Sequence, residues 1–215
     1  MEGGKMKVEC RKWKDIIEPY LDIIIFMVTL VVANYFWKFT VIGDDHGETV
    51  SWFGIDLTSL FDVVSNHVAA VVFWLVSLFR DTVYMVDANT IRFNSGSGTS
   101  IVWGCTGIKQ SFIFLWLILT VRPYALRFSP FRFQFSVMSA AKLLYIPFGW
   151  LCCYLFNILR IFCITVLLEY HPLWFLVLHD VIFKYLFYFM LFGLWVLFVE
   201  RIRPAVLERL QSSKS

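Results

Sequence analysis

Five long apolar runs occupy a chain of only 215 residues, and no other feature limits its fold so tightly. They begin near Ile16, Asp62, Cys105, Leu143 and Val181, and leave too little chain for a separate soluble domain of the usual 100 residues or so. Apolar residues make up 59% and charged residues 16%, and the mean hydropathy is +0.70. Soluble domains run roughly 45–50% apolar and about 25% charged. A soluble globular fold is therefore excluded, and one integral-membrane domain over residues 1–215 is expected. The net charge of +3, from 19 basic and 16 acidic residues, is too small an excess to call for nucleic acid. The five cysteines (Cys10, Cys105, Cys152, Cys153, Cys163) are odd in number and mostly lie in or beside apolar runs, unlike a secreted disulfide framework.

The run 16–37 follows the basic leader Lys5, Lys7, Arg11, Lys12 and Lys14. It is longer than a signal-peptide core and has no small-residue cleavage site, so it is read as an uncleaved span. Segments 105–121, 143–170 and 181–199 are read as three further spans. The run 62–79 differs, because Asp62, Ser65, Asn66 and His67 leave only the 12 residues Val68 to Phe79 uncharged and unbroken. The leader, the basic stretch Arg122 to Lys142, and Arg201 with Arg203 are all expected to be cytoplasmic. With both termini inside, the number of crossings is even. Four spans fit, and 62–79 becomes an amphipathic helix on the outer face. Val83 to Phe93, the turn-forming Asn94 to Thr99 and Ile101 to Trp103 predict a short extracytoplasmic β-hairpin. The expected fold is thus an all-α multi-pass protein of the cytoplasmic membrane, carrying that hairpin.

Arg160 lies in an otherwise apolar helix, where an unpaired guanidinium costs at least a few kcal/mol, and Asn157 shares its face three residues earlier. The bland reading is that Arg160 snorkels to an interface while Asn157 bonds a neighbouring helix. Cys105 sits in Trp-Gly-Cys-Thr-Gly-Ile, where extended chain turns into a helix, a setting that favours thiolate. The other cysteines read as small apolar side chains. His179 precedes Asp180 at the start of the last span, where the imidazole can move a proton and Asp180 can orient it; such a pair also serves as a helix cap.

Counting helical rise from each basic marker brings these groups to one depth. Cys105 is 17 residues from Arg122, Arg160 is 18 from Lys142, and His179 is 22 from Arg201. At about 1.5 Å per residue, the heights are roughly 26, 27 and 33 Å. A thiol, a guanidinium and an imidazole in one layer suit acyl transfer: the thiolate attacks a carbonyl, the imidazole protonates the leaving amine, and the guanidinium stabilises the oxyanion or thiolate. No metal or cofactor is called for. Zinc would want a third ligand beside Cys105 and His179, and His171 and His179 lie eight residues apart around Pro172 rather than facing each other as haem ligands.

Trp-Gly-Cys105-Thr-Gly107-Ile, then Asn157-Ile-Leu-Arg160, then His179-Asp180 resemble the ordered Cys, Asn-x-x-Arg and His motifs of the exosortase/archaeosortase family. The resemblance covers roughly residues 55–199 and is nearest to the short bacterial forms, since the chain has fewer helices than the larger members. It implies a membrane cysteine transpeptidase or protease acting on exported proteins that carry a C-terminal sorting signal, made of a short motif, a transmembrane helix and a basic cluster. On that basis Cys105 is the nucleophile, His179 the proton donor and acceptor, and Arg160 the electrostatic partner, with Asn157 and Gly107 in support. Lys109, one helical turn after Cys105, either favours the thiolate or snorkels to the outer surface. Two rival readings are a thiol-dependent acyltransferase of an envelope lipid or glycan, and a non-catalytic membrane subunit whose Arg160 and Asn157 fix helix packing.

Overall fold

The structure, a computed structural model, describes residues 20–43, 49–122, 137–175 and 177–206. The basic leader and residues 123–136 of the Arg122 to Lys142 stretch lie outside the described residues, as does the side chain of Asp180. The chain is mostly helical. Helix α1 (Leu21–Thr40) leads into the antiparallel strands β1 (Val41–Gly43), β2 (Val50–Trp52) and β3 (Ile55–Asp56). Helix α2 (Thr58–Ser77) connects these to a second antiparallel sheet, β4 (Val83–Asp87), β5 (Thr90–Phe93) and β6 (Gly98–Ser100). A 3-10 turn, Trp103–Cys105, precedes α3 (Ile108–Thr120), and α4 (Val137–Tyr170) follows. The last helix is continuous over Val177–Val206, with π-helical turns at Val177–Ile182 and Phe198–Ile202 flanking α5 (Phe183–Leu197).

Among the described residues four helices are long and apolar enough to cross a membrane: Leu21–Thr40, Thr58–Ser77, Ala141–Tyr170 and Val177–Val206. Their outward faces are apolar too. In α1 only Phe26, Ala33 and Thr40 are buried, while Ile23, Ile24, Met27, Val28, Val31 and Val32 face outward. Helices apolar all round and only partly covered by protein suit a hydrocarbon surrounding, so the helices suggest a membrane protein.

Three expectations change in detail. Segment 105–121 is a turn followed by a helix of 13 residues, about 20 Å long and short of a hydrocarbon core of about 30 Å. The 62–79 helix begins earlier, at Thr58, and its 20 residues are long enough to cross; its outward face mixes Asp62 and His67 with Val63 and Trp74, so it is only weakly amphipathic. The expected hairpin is a three-stranded sheet, because Ala88 and Asn89 make an additional turn between β4 and β5. The β1–β3 sheet was not foreseen.

Two polar clusters fix one end of the bundle. Arg203 Nη1 donates to Asp22 Oδ2 at 2.8 Å and to the Arg122 carbonyl at 3.4 Å. Lys142 Nζ donates to the carbonyls of Leu119 (2.9 Å) and Val121 (2.6 Å), satisfying acceptors that the end of α3 leaves open. The start of α1, the end of α3, the start of α4 and the end of the last helix therefore meet there. One core packs Phe26 of α1, Phe114 and Leu117 of α3, Tyr145 of α4, and Leu191 and Trp195 of α5. Further along α4, Ile158 and Ile161 pack with Val68 and Val72 of α2 and with Ile91 and Phe93 of β5.

Both sheets lie at the opposite end. Val41 and Val50 pack with Phe61, against Trp103 and Ile108, and the second sheet's core touches Cys105. Helix α2 joins the two sheets, its start packing beside Trp103 and its later turns against β5 and α4. Arg80, just beyond it, pairs with Glu169 (3.6 Å) and lies over the Tyr170 ring near the end of α4.

Candidate active site

The chain enters the site through the turn Trp103–Cys105, where the Cys105 N–H donates to the Val102 carbonyl at 2.8 Å and Thr106 Oγ1 donates to the Trp103 carbonyl at 2.8 Å. Gly107 then takes φ +79°, a left-handed conformation that starts α3. A Cβ there would sit 3.1 Å from Asn157 Cγ, so glycine is favoured twice, by backbone angle and by close approach. Asn157, fully buried on α4, donates from Nδ2 to the Cys105 carbonyl at 2.7 Å. That bond ties the turn to the helix that carries Arg160.

Cys105 and His179 share a side-chain hydrogen bond, and the charge of Arg160 acts on the same thiol. Arg160 is only 6% exposed. The His179 ring is half-buried and stacks on Phe175 with centroids 5.3 Å apart. It sits in the π-helical stretch Val177–Ile182, a local widening of the helix often found at functional sites. Burial pushes the Cys105 thiol up. The hydrogen bond to His179, the charges of Arg160 and His179 and a backbone hydrogen bond at Val102 outweigh it, so the thiol lies below its ordinary range.

Of the residues expected from sequence, Cys105, Gly107, Asn157, Arg160 and His179 come together. Asp180 follows His179 in the chain, but its side chain is not described. His171 is exposed and its N–H closes a turn to the Leu167 carbonyl. Among the described residues, no three His, Cys, Asp or Glu side chains converge as a metal site.

A cleft of about 350 Å³ has Arg160, His179 and Gly104, the residue before Cys105, in its wall. Lys38, Lys109 and Lys184 also line it, together with Trp37 and Trp103. Sequence reasoning singled out Lys109 and passed over Lys38 and Lys184. The depth count would have found Lys184, which is 17 residues before Arg201 and so roughly 26 Å above it, level with Cys105.

No family model matches this chain, and no curated protein or solved structure matches it either.

Proposed function

We propose that the chain is a membrane-embedded cysteine transpeptidase or protease, with Cys105 as nucleophile, His179 as proton carrier and Arg160 as electrostatic partner. The observation that carries this reading is the Cys105–His179 hydrogen bond formed under the charge of Arg160. Nucleophile, base and charge stabiliser in mutual reach make up the minimum set for acyl transfer.

The thiol passes its proton to His179, and the thiolate attacks a peptide carbonyl carbon to form a C–S bond. The carbonyl oxygen takes the negative charge, which the Arg160 guanidinium stabilises. Collapse breaks the C–N bond, and His179 gives its proton to the departing amine, leaving a thioester on Cys105. An acceptor amine or water then loses a proton to His179 as it attacks the thioester, and the thiolate leaves as transpeptidation or hydrolysis product forms. Asn157 and Gly107 hold the Cys105 backbone in place for both halves of the reaction.

The substrates in this reading are exported proteins ending in a short motif, an apolar helix and a basic cluster. The resemblance in sequence motifs supports that choice, and the reading puts Cys105 on the extracytoplasmic face of the cell membrane. Such a protein co-expressed with the wild-type chain should lose its C-terminal segment. Processing should stop with Cys105→Ala at equal abundance, and a His179→Ala variant should slow it. A thioester-linked fragment of the substrate on Cys105, identified by mass spectrometry, supports the peptidase. A lipid-derived acyl group there instead, or normal processing by Cys105→Ala, overturns it.

A further inference from the structure

Three lysines from three helices face one cleft: Lys38 at the end of α1, Lys109 in the first turn of α3 and Lys184 at the start of α5. They are close enough for the charges of Lys184 and Lys38 to act on Lys109, and none of the three has an ion-pair partner among the described residues. Arg160 adds a fourth positive charge to the wall, and the described lining contains no carboxylate. Like charges gathered in a half-buried cleft repel one another, and an anion placed between them removes that cost.

The lining narrows the kind of anion. Trp37, Trp103 and Phe183 give the cleft apolar walls. Phe39 and Tyr185, next in sequence to Lys38 and Lys184, are exposed on α1 and α5. Gln110, also in the wall, has a buried Oε1 without a hydrogen-bond partner among the described residues, an acceptor that a ligand hydroxyl would satisfy. Height gives a further indication. Lys38 is 16 residues beyond Asp22, and Lys184 is 17 before Arg201, so both stand roughly 24–26 Å from the opposite end of the bundle. That separation is close to the thickness of a hydrocarbon core of about 30 Å, which sets the cleft at headgroup level if these helices span a bilayer.

We propose that this cleft is a phosphate-binding site, with Lys38, Lys109 and Lys184 holding the phosphate group of an anionic phospholipid headgroup or of free phosphate. The walls and height favour the lipid source. Lysine suits this role as a compact, well-hydrated point charge, and three of them from separate helices surround one group without demanding a planar fork.

The test uses the full chain purified in detergent, with fluorescent short-chain phosphatidylglycerol as the probe and its zwitterionic phosphatidylcholine counterpart as comparison. Phosphatidylglycerol should bind at one per chain and at least about 10-fold more tightly than phosphatidylcholine. Lys109→Gln, Lys38→Gln and Lys184→Gln should each weaken it about 5–10-fold, and added salt should weaken it further. Arg201→Gln, at the other end of the bundle, should bind as wild type. Thermal melts of each variant establish that the fold is kept. Inorganic phosphate that competes at concentrations near those of the lipid assigns the site to free phosphate, and failure to compete assigns it to the headgroup. Cys105→Ala should bind the probe as wild type, so loss of thiol chemistry and loss of this site are read separately. Equal binding of the two lipids together with no phosphate binding overturns the proposal, as does unchanged affinity in a folded Lys38→Gln/Lys109→Gln/Lys184→Gln variant.

Discussion

The side-chain amide of Asn157 donates a 2.7 Å hydrogen bond to the backbone carbonyl of Cys105, so a buried residue of α4 holds the turn that presents the thiol. Its Oδ1 is also buried and has no hydrogen-bond partner among the described residues. One face of the amide therefore fixes the backbone, and the other remains available in the site.

Removing that amide should affect both stability and function. Asn157→Ala leaves the Cys105 carbonyl short of a buried donor, which costs about 1–3 kcal/mol. Gly107→Ala should cost about 1 kcal/mol or more from the positive φ and also displace Asn157, whose Cγ lies 3.1 Å from the added carbon. Activity should fall further in both variants than the melting shift predicts, as measured by thermal denaturation beside substrate processing at a temperature where both are folded.

The Cys105 thiol should react as thiolate at lower pH than an ordinary cysteine. Its proton is held less tightly in the folded chain because, against the effect of burial, the His179 hydrogen bond and the Arg160 charge favour the anion. The rate of alkylation by iodoacetamide should therefore rise with pH to a midpoint below the free-thiol value of about 8.5. His179→Ala should move that midpoint upward, and Arg160→Gln should move it in the same direction. A midpoint at or above the free-thiol value in the wild type would contradict the arrangement.

The layer containing Cys105, Arg160 and His179 was legible because each group lies on, or at the end of, a helix that starts or stops near a basic marker, so residue count translates into height. The Asp22–Arg203 and Lys142–Val121 contacts are the structural counterpart of those markers. What stayed hidden has local causes. Strands of two or three residues, such as Ile55–Asp56, are too short to show an alternating pattern. The start of α2 at Thr58 was obscured by Asp62 and His67, which break the apolar run without ending the helix. Lys38 and Lys184 each resemble an ordinary interfacial lysine until three helices bring them to one cleft.

The sidedness proposed for Cys105 is tested at α2. The proposed reading leaves α2 outside the four crossings, although its 20 residues are long enough to cross. Reporters fused after Arg80 and after Arg122 should give opposite signals, extracytoplasmic for the first and cytoplasmic for the second. A cytoplasmic signal from the Arg80 fusion would place α2 across the membrane and separate Cys105 from the extracytoplasmic side.

Arg203 is only 2% exposed and its guanidinium pairs with Asp22, linking the first helix to the last. Asp22→Ala should destabilise the chain by about 2–3 kcal/mol, less than the 3–5 typical of a fully buried pair because Asp22 is a quarter exposed. Replacing both residues, Asp22→Leu with Arg203→Met, should recover most of the loss in a detergent melt. No recovery would mean that Arg203 is held chiefly by its other contacts.

Arg160 distinguishes an electrostatic site from a packed helix junction. It is 6% exposed, shares a helix face with Asn157, and its charge reaches the Cys105 thiol. Arginine stays protonated when desolvated and presents a planar set of donors, whereas lysine offers one mobile ammonium that can lose its proton. Arg160→Lys should leave abundance and melting close to wild type yet lower turnover on the order of 10²–10³-fold, as when an oxyanion donor is lost. Arg160→Ala should be at least as damaging. If Arg160 only reached for an interface, lysine would do so equally well. Near-normal processing by Arg160→Lys, with Cys105→Ala inactive beside it, would remove the electrostatic role and leave Cys105 as nucleophile.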